Sequence, residues 1–239
     1  MDSRAFWLTK RGNEPDDYED ACAVDSAQGR FAIADGATES SFARTWAKLL
    51  VDQYVELPVR WQQRWRDWLP PLQQRWVEEV GRRPLPWYAE SKVEQGAFAT
   101  FLGLLIEPVG EQSWSAVAVG DSCLFQVRDD QLLTAFPLIA ASEFSNQPSL
   151  IGSRTPVDVV TAERERFCHG ECRSGDRFFL ATDALAHWVL KQHEQGAQPW
   201  QTILTACQPP ADTFAAWIET LRDAHEIRND DVTLIVIDV

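Results

Sequence analysis

The chain has 239 residues, of which 45% are hydrophobic and 24% are charged, and these proportions exclude a disordered chain and allow one sizeable domain with its own core. Its formal net charge of −14 excludes general nucleic-acid binding and docking on anionic membranes, because both depend on clusters of lysine and arginine. The apolar runs are too short to cross a bilayer, no secretory signal opens the chain, and the five cysteines form no framework, so we expect free thiols in a cytoplasmic protein.

Two short strands are predicted near the N-terminus, at 21–24 and 30–34, and the second of them ends at Asp35-Gly36. A helix is expected to follow, with Thr38 as its N-cap and Glu39 in its first turn, where an acidic side chain complements the helix dipole. The buried face of this helix is predicted from apolar residues at helical spacing, which are Phe42, Trp46, Leu49 and Leu50.

The segment 57–90 is rich in tryptophan and arginine, and its large apolar residues follow a helical spacing that is interrupted at Pro70-Pro71. The apolar residues of this spacing are Trp61, Trp65, Trp68, Leu72 and Trp76, and the arginines are Arg60, Arg64, Arg66, Arg75, Arg82 and Arg83. The favoured interpretation is a helical hairpin that buries a tryptophan seam against the domain. The alternative is a lid or a docking surface for a protein partner, because Trp and Arg dominate binding hot spots.

From Gly96 onward the pattern changes to strands. An antiparallel meander is predicted from strands at 98–106, 114–119, 123–128 and 132–134. A polar stretch at 142–156 is predicted as a loop or flap. The elements predicted after it are strands at 165–169, 177–182 and 232–239 and helices at 184–192, 200–207 and 211–224. Strands dominate the middle and helices occupy separate blocks, so the predicted class is α+β with antiparallel sheets.

Three aspartates each lie where an apolar strand meets a turn: Asp35, Asp183 and Asp230. A strand sets the direction of the side chain at its end, so three such carboxylates can converge from distant parts of the chain. Converging carboxylates repel each other unless a cation neutralises them, and Mg²⁺ and Mn²⁺ prefer oxygen ligands. The sequence therefore predicts a metal site. The alternative for each aspartate is a turn former or helix cap.

A series of short motifs runs through the chain in order. It comprises Glu19-Asp20-Ala21, Asp35-Gly36, Gly96 with Thr100, Val119-Gly120-Asp121-Ser122, Leu150-Ile151-Gly152, Ser174-Gly175-Asp176 running into Thr182-Asp183, and Asp230-Asp231-Val232-Thr233. In order and in rough spacing, the series resembles the metal-dependent serine/threonine protein phosphatases of the 2C type, as a divergent bacterial-like member. The resemblance implies a four-layer αββα sandwich of two antiparallel sheets flanked by helices. It also implies one domain over 1–239, with 57–90 as a Trp-rich helical insertion.

The resemblance implies a metal centre in a cleft at one end of the two sheets. Asp35 resembles the carboxylate that bridges two Mn²⁺ or Mg²⁺ ions, and Gly36 would supply a backbone carbonyl. Asp183 and Asp230 resemble the ligands of the second ion, and Asp121 resembles the residue that holds a third, weaker metal. Two ions about 3.5–4 Å apart would hold a shared hydroxide that attacks a phosphate monoester in line.

Three further acidic residues receive roles from the resemblance. Glu19 resembles a metal ligand that acts through water, and Asp20 resembles its support behind the ligand sphere. Asp231 is assigned to the same supporting layer. Because Glu19 lies in an acidic run, its alternative is a solvated segment. Asp121 and Asp231 both lie in strong turn contexts, so the alternative for each of them is a turn former.

The chain also departs from the family pattern. Ala37 occupies the place where some members carry a histidine proposed as the general acid, and Ala184 replaces the glycine that usually follows the equivalent of Asp183. The phosphate-binding arginine that usually precedes the Glu-Asp pair is missing, and Arg11 is the candidate for that contact from its loop. These departures affect phosphate recognition more than metal binding.

Three functional hypotheses follow. The first is a cytoplasmic signalling enzyme, a Mn²⁺- or Mg²⁺-dependent phosphatase that acts on phosphoserine and phosphothreonine of proteins. The second is a catalytically weak or inactive 2C-like domain that regulates a protein partner through 57–90. The third is a hydrolase of small phosphorylated metabolites that uses the same site.

Overall fold

The computed structural model of the protein describes residues 1–37, 42–56, 65–82, 93–107, 113–156, 165–210 and 212–239. The strands within them are β1 (Asp2–Leu8), β2 (Ala21–Asp25), β3 (Arg30–Ala34), β4 (Phe98–Ala99), β5 (Phe101–Ile106), β6 (Ser113–Val119), β7 (Cys123–Arg128), β8 (Gln131–Phe136), β9 (Ile151–Gly152), β10 (Arg166–Glu171), β11 (Arg177–Ala181) and β12 (Val232–Asp238). The helices are α1 (Ala43–Glu56), α2 (Trp65–Gly81), α3 (Asp183–Glu194), α4 (Pro199–Ala206) and α5 (Thr213–Asp223), with short 3₁₀ turns at Pro15–Asp17 and Ala141–Glu143.

Two five-stranded antiparallel sheets form the centre of the fold. The first sheet has the strand order β1-β12-β11-β7-β8, and the second has the order β10-β6-β5-β3-β2. The short strands β4 and β9 pair with each other outside both sheets. The chain passes repeatedly from one sheet to the other, so residues that are far apart in sequence meet at the same end of the sheets.

The alternation of side chains along the strands divides the interior into three apolar layers. On β12, Leu234 and Val236 face the helices α3, α4 and α5, whereas Ile235 and Ile237 face the second sheet. A third layer packs α1 and α2 on the outer face of the second sheet. Helix, sheet, sheet and helix thus follow each other, and this confirms the αββα sandwich that the sequence analysis expected.

The described part of the 57–90 segment is helix α2, and its apolar face is buried. Its tryptophan seam packs into the same layer as Trp46 of α1. The Trp76 indole N–H donates to the Phe42 carbonyl at 3.5 Å, and the Arg154 guanidinium lies 5.8 Å from the centre of the Trp76 ring. The buried residues of α2 are Trp68, Leu69, Leu72, Trp76 and Val80. In this part, the seam contributes to the core and is not an exposed docking surface.

The predicted interruption at Pro70-Pro71 is wrong, because α2 continues through both prolines. Each proline removes a backbone hydrogen bond and costs roughly 3 kcal/mol in a helix interior. The apolar residues that α2 buries on both sides of the prolines offset this cost. Residues 57–64 and 83–90, where the rest of the predicted hairpin falls, lie outside the described residues, as do Thr38 and Glu39, the predicted cap and first turn of α1.

Two further differences from the sequence analysis concern the strands. Strand β1 was not predicted, although it pairs with β12 along its whole length, from Asp2 opposite Asp238 to Leu8 opposite Val232. The predicted meander is divided between the sheets, because the turn at Gly120-Asp121 carries the chain from β6 in the second sheet to β7 in the first. No helix of the described ranges combines the length and the apolar character needed to cross a membrane.

A pair of leucine substitutions tests whether the seam belongs to the core. Leu72 is fully buried and Leu133 on β8 is 47% exposed. We expect Leu72→Ala to lower the free energy of unfolding by about 2–5 kcal/mol, because it leaves a cavity, and Leu133→Ala by about 0.5 kcal/mol. Urea unfolding followed by circular dichroism measures both values. Equal losses in the two variants would contradict the packing described for α2.

Candidate metal centre

Four aspartates from separate parts of the sequence line one cleft of about 610 Å³, called here the aspartate cleft. Asp35 directly follows β3 of the second sheet, Asp121 lies between β6 and β7, and Asp183 and Asp230 lie next to the end of β11 and the start of β12. Strand β11 pairs antiparallel with both β7 and β12, so the start of β7, the end of β11 and the start of β12 lie at the same end of the first sheet. Asp121, Asp183 and Asp230 lie at that end. The structure therefore brings together the carboxylates that the sequence analysis selected.

The backbone around Asp35 is held by Thr100, whose hydroxyl is bonded in turn to Ser122. The Asp35 N–H donates to Thr100 Oγ1 at 3.2 Å, and the Thr100 N–H donates to the Asp35 carbonyl at 2.8 Å. The Thr100 and Ser122 hydroxyls bond to each other at 2.9 Å. A Cβ atom on Gly36 would lie 2.6 Å from the Glu19 carbonyl, so only glycine allows the two chain segments to approach this closely. Asp35 is thus placed by the packing of its neighbours.

Burial and mutual repulsion perturb the carboxyl groups of the aspartate cleft. Burial raises the pKa of Asp35 well above its ordinary value, and the charges of Asp20, Asp183, Asp230 and Asp121 raise it further. Burial, followed by the charge of Asp183, raises the pKa of Asp121 to about 7. Burial also raises the pKa of Asp183, although a neighbouring guanidinium opposes that shift. The protein on its own therefore disfavours full ionisation of this cluster.

Asp20 lies behind the aspartate cleft and is buried in a hydroxyl network. Its Oδ2 accepts a hydrogen bond from the Thr233 hydroxyl at 2.6 Å, and the Tyr18 hydroxyl also bonds to that hydroxyl. Its Oδ1 is buried without a hydrogen-bond partner in the part of the chain that the structure describes. Burial is the largest cause that raises the pKa of Asp20. The supporting role expected for Asp20 stays a prediction.

Asp231 fastens the N-terminal segment to the start of β12. Its Oδ1 accepts from the Lys10 backbone N–H at 2.8 Å, and its Oδ2 accepts from the Glu19 backbone N–H at 2.7 Å. Glu19 lines a neighbouring cleft of about 980 Å³ and is not among the residues that line the aspartate cleft. Asp231 thus bonds two chain segments to β12, while a role of Glu19 through water stays a prediction.

The structure does not bring Arg11 to the aspartate cleft. Its Nε donates to Glu219 Oε2 at 2.7 Å, and its Nη2 lies 2.8 Å from Asp223 Oδ1, so α5 holds the guanidinium. The phosphate-binding role expected for Arg11 is therefore corrected: two carboxylates occupy its guanidinium, and the side chain points elsewhere.

Arg228, which the sequence analysis missed, does line the aspartate cleft and donates a hydrogen bond to Asp183. Two features of the sequence could have pointed to Arg228. It lies two residues before Asp230, and it is the single basic residue of the run Glu226-Ile227-Arg228-Asn229-Asp230-Asp231. The 142–156 stretch also contributes to the lining, through Ser145, Asn146 and Gln147.

The donor set of the aspartate cleft fits hard divalent cations. Four carboxylates surround one space, and the Asp121 Oδ1 is buried without a hydrogen-bond partner among the described residues. Within those same residues, no three His, Cys, Asp or Glu side chains stand close enough together to hold one ion by themselves, so an ion here would complete its coordination with water. Mg²⁺ and related ions keep several waters and bind through few carboxylates, so an open arrangement of this kind suits them. Divalent cations would also relieve the repulsion within the cluster.

The protein phosphatase 2C family model matches residues 10–228. No curated protein sequence matches the chain. Among solved structures, the serine/threonine phosphatase PstP/Ppp of Mycobacterium tuberculosis is 19% identical, with a TM-score of 0.60 over 100% of this chain and 98% of that one. PppA of Pseudomonas aeruginosa, described as a regulatory component of T6SS, is 18% identical, with a TM-score of 0.61 over 100% and 97%. The PstP catalytic domain in complex with two manganese ions is 19% identical, with a TM-score of 0.57 over 99% and 97%.

The crowding of carboxylates predicts an unusual effect of neutralising one of them. In EDTA, we expect Asp35→Asn to raise the melting temperature by about 2–4 °C, because the substitution removes a buried carboxyl whose ionisation is disfavoured by burial and by neighbouring like charges. The exposed Asp2 provides the control, and Asp2→Asn should leave the melting temperature unchanged. Differential scanning calorimetry measures both. A lower melting temperature for Asp35→Asn would argue against repulsion at this site.

Proposed function

The chain belongs to the protein phosphatase 2C family, and from that membership we propose that it removes phosphate from phosphoserine and phosphothreonine of proteins with the help of Mn²⁺ or Mg²⁺. The observation that carries the proposal is the meeting of Asp35, Asp121, Asp183 and Asp230 in one cleft. The match over 10–228 supports one phosphatase 2C-like domain across 1–239. We also place this signalling role in the cytoplasm, which the odd number of cysteines supports.

We propose Asp35, Asp183 and Asp230 as ligands of two ions, with the Gly36 carbonyl beside them and Asp121 for a third ion. The two manganese ions of the PstP complex support this number. When bound, such ions supply an activated water and neutralise the charge of the phosphate. Oxygen donors accept both Mn²⁺ and Mg²⁺, so the choice between the two depends on the metal supply.

The contribution of the protein itself is to hold its carboxylates in place before the substrate arrives. The Thr100 and Ser122 hydroxyls secure Asp35, and Asp231 secures the segment around Glu19. Small displacements of reacting groups are costly in phosphoryl transfer, where positioning and charge stabilisation carry most of the catalysis. A site whose supports lie on strands and on short hydrogen-bonded turns meets this demand.

The leaving oxygen of the substrate must be protonated, and the described lining of the aspartate cleft contains no histidine for this step. Ala37 stands where some family members carry one. We propose that solvent water supplies the proton, and that turnover is correspondingly slow, because a positioned general acid typically contributes about 10²–10⁴-fold.

The second candidate is a catalytically weak or inactive domain that regulates a protein partner. The engagement of Arg11 by α5 and the alanine at position 37 favour it, since both remove groups that support phosphate chemistry. The burial of Trp68 and Trp76 weakens the part of this candidate that places the partner on 57–90. A panel of small phosphorylated metabolites, tested beside phosphopeptides, examines the third hypothesis.

We expect the purified protein to hydrolyse p-nitrophenyl phosphate and a phosphothreonine peptide only when Mn²⁺ or Mg²⁺ is present. Asp35→Asn should abolish this activity, because Asp35 lies at the centre of the carboxylate cluster. Phosphate release measured with and without EDTA gives the result. Pure, folded wild-type protein without hydrolysis at millimolar Mn²⁺ would instead favour the regulatory candidate.

The proposed ligands should also differ in importance. We expect Asp183→Ala and Asp230→Ala to lower kcat more than Asp121→Ala, because a pair of ions depends on each of its direct ligands whereas a third ion binds more weakly. Steady-state kinetics at saturating Mn²⁺ rank the three variants. Equal losses would remove the distinction between two central ions and a third.

Metal binding can be followed independently of catalysis. Mn²⁺ at about 100 times its dissociation constant should stabilise the wild type by about 2.7 kcal/mol, because the ion binds the folded state. Asp35→Asn should lose most of this gain, whereas Asp2→Asn should keep it. Thermal unfolding with increasing Mn²⁺ measures the shifts, and the same gain in both variants would place the metal elsewhere.

A further inference from the structure

Arg228 is the one cationic side chain among the described residues that line the aspartate cleft. The other charged side chains of that lining are the four aspartates. A phosphate monoester carries about two negative charges near neutral pH, so carboxylates oppose its entry unless positive charge is close by. Divalent ions would supply part of that charge, and Arg228 is the part that the chain supplies itself.

Most N–H groups of the Arg228 guanidinium have no hydrogen-bond acceptor among the described residues. One of its N–H groups, on Nη2, bonds to Asp183 Oδ2, and no other hydrogen bond from this guanidinium is found within the described residues. Its side chain remains 46% exposed. Because a guanidinium carries five N–H groups in a planar fork, most of them are available to an anion in the cleft. Planar forks of this kind match the spacing of phosphate oxygens.

The backbone that carries Arg228 is firmly held. The preceding residue, Ile227, is buried in the layer beneath α3, α4 and α5. The Arg228 carbonyl accepts from the Asp230 N–H at 3.1 Å, and the buried Arg222 donates to the Asp230 carbonyl at 2.6 Å and to the Thr9 carbonyl at 3.1 Å. The base of the side chain is therefore fixed, so less conformational freedom remains to be lost when an anion binds.

We propose that Arg228 binds the phosphoryl oxygens of the substrate and so fills the role for which the sequence pointed to Arg11. This inference rests on the proposed phosphatase function. Arg11 is engaged by Glu219 and Asp223 on α5, whereas Arg228 lines the aspartate cleft and lies in the segment that leads into β12. Contact to Asp183 would place the guanidinium next to the proposed metal ligands.

The test compares the full-length wild type with Arg228→Gln, Arg228→Lys, Arg11→Gln and Arg173→Gln at saturating Mn²⁺. Arg173 is the matched control, because it is exposed in the turn before β11, at the end of that strand opposite to Asp183. For Arg228→Gln we expect the KM for a phosphothreonine peptide and the inhibition constant of inorganic phosphate to rise about 10- to 100-fold, with a smaller change in kcat. Arg228→Lys should recover part of the loss, since it keeps the charge without the fork. Arg173→Gln should behave as wild type.

Metal affinity is measured separately by isothermal titration calorimetry with Mn²⁺, because Arg228 contacts Asp183. If Mn²⁺ affinity changes in Arg228→Gln while KM and the phosphate inhibition constant at saturating metal stay at wild-type values, the proposal is overturned. A rise in KM for Arg11→Gln in place of Arg228→Gln overturns it as well.

A wild type that binds Mn²⁺ without hydrolysing any substrate would refute the phosphatase function and leave a separate test of the inference. Calorimetry with inorganic phosphate on the Mn²⁺-loaded proteins then decides it. Weaker phosphate binding by Arg228→Gln than by Arg173→Gln supports the assignment, and equal binding rejects it.

Discussion

The concentration of buried negative charge in the aspartate cleft is the constraint on which the rest of the structure depends. Burial and neighbouring charges raise the pKa of Asp35, and burial with the charge of Asp183 raises that of Asp121, so the folded chain works against its own ionisation there. A protein can maintain such a cluster only when other interactions hold the fold. Here three apolar layers, two outside the sheets and one between them, supply that stability at a distance from the carboxylates.

The same constraint explains why the supports of the cleft are hydrogen bonds between remote segments. Asp231 bonds the backbone of Lys10 and Glu19 to the start of β12, and Arg222 joins the carbonyls of Thr9 and Asp230. These contacts connect the N-terminal segment to the last strand, across more than 200 residues. Gly120, at a φ of 103°, makes the turn in which the chain changes sheets and presents Asp121 at the cleft. Asp35, Asp183 and Asp230 are therefore held partly by contacts with other chain segments.

Local signals were sufficient to predict the acidic cluster and the fold class. Asp35, Asp183 and Asp230 follow or precede apolar strands that end in clear turns. Antiparallel pairing places the end of one strand beside the start of its neighbour, so side chains at such positions can converge. The features that were missed depend on tertiary contacts. Strand β1 has a weak pattern and is defined by β12 at the other end of the chain. Likewise, α2 passes through Pro70-Pro71 because of the core that it joins. Arg11 lies close in sequence to the Glu19-Asp20 motif, but in the folded chain it pairs with an acidic side chain of α5. Arg228 is the arginine that contacts the cleft, through Asp183.

The pairing of Arg228 with Asp183 links anion binding to cation binding. The guanidinium offsets the charge of one crowded carboxylate. A divalent ion bound to Asp183 would take over that task and would repel the guanidinium, and a phosphate held by both would remove the repulsion. Metal and phosphate would then strengthen each other's binding, and by linkage the gain is the same in both directions. A phosphate-binding arginine has to lie next to the metal ligands. Arg228, just before β12, meets that requirement as well as an arginine in the N-terminal segment would.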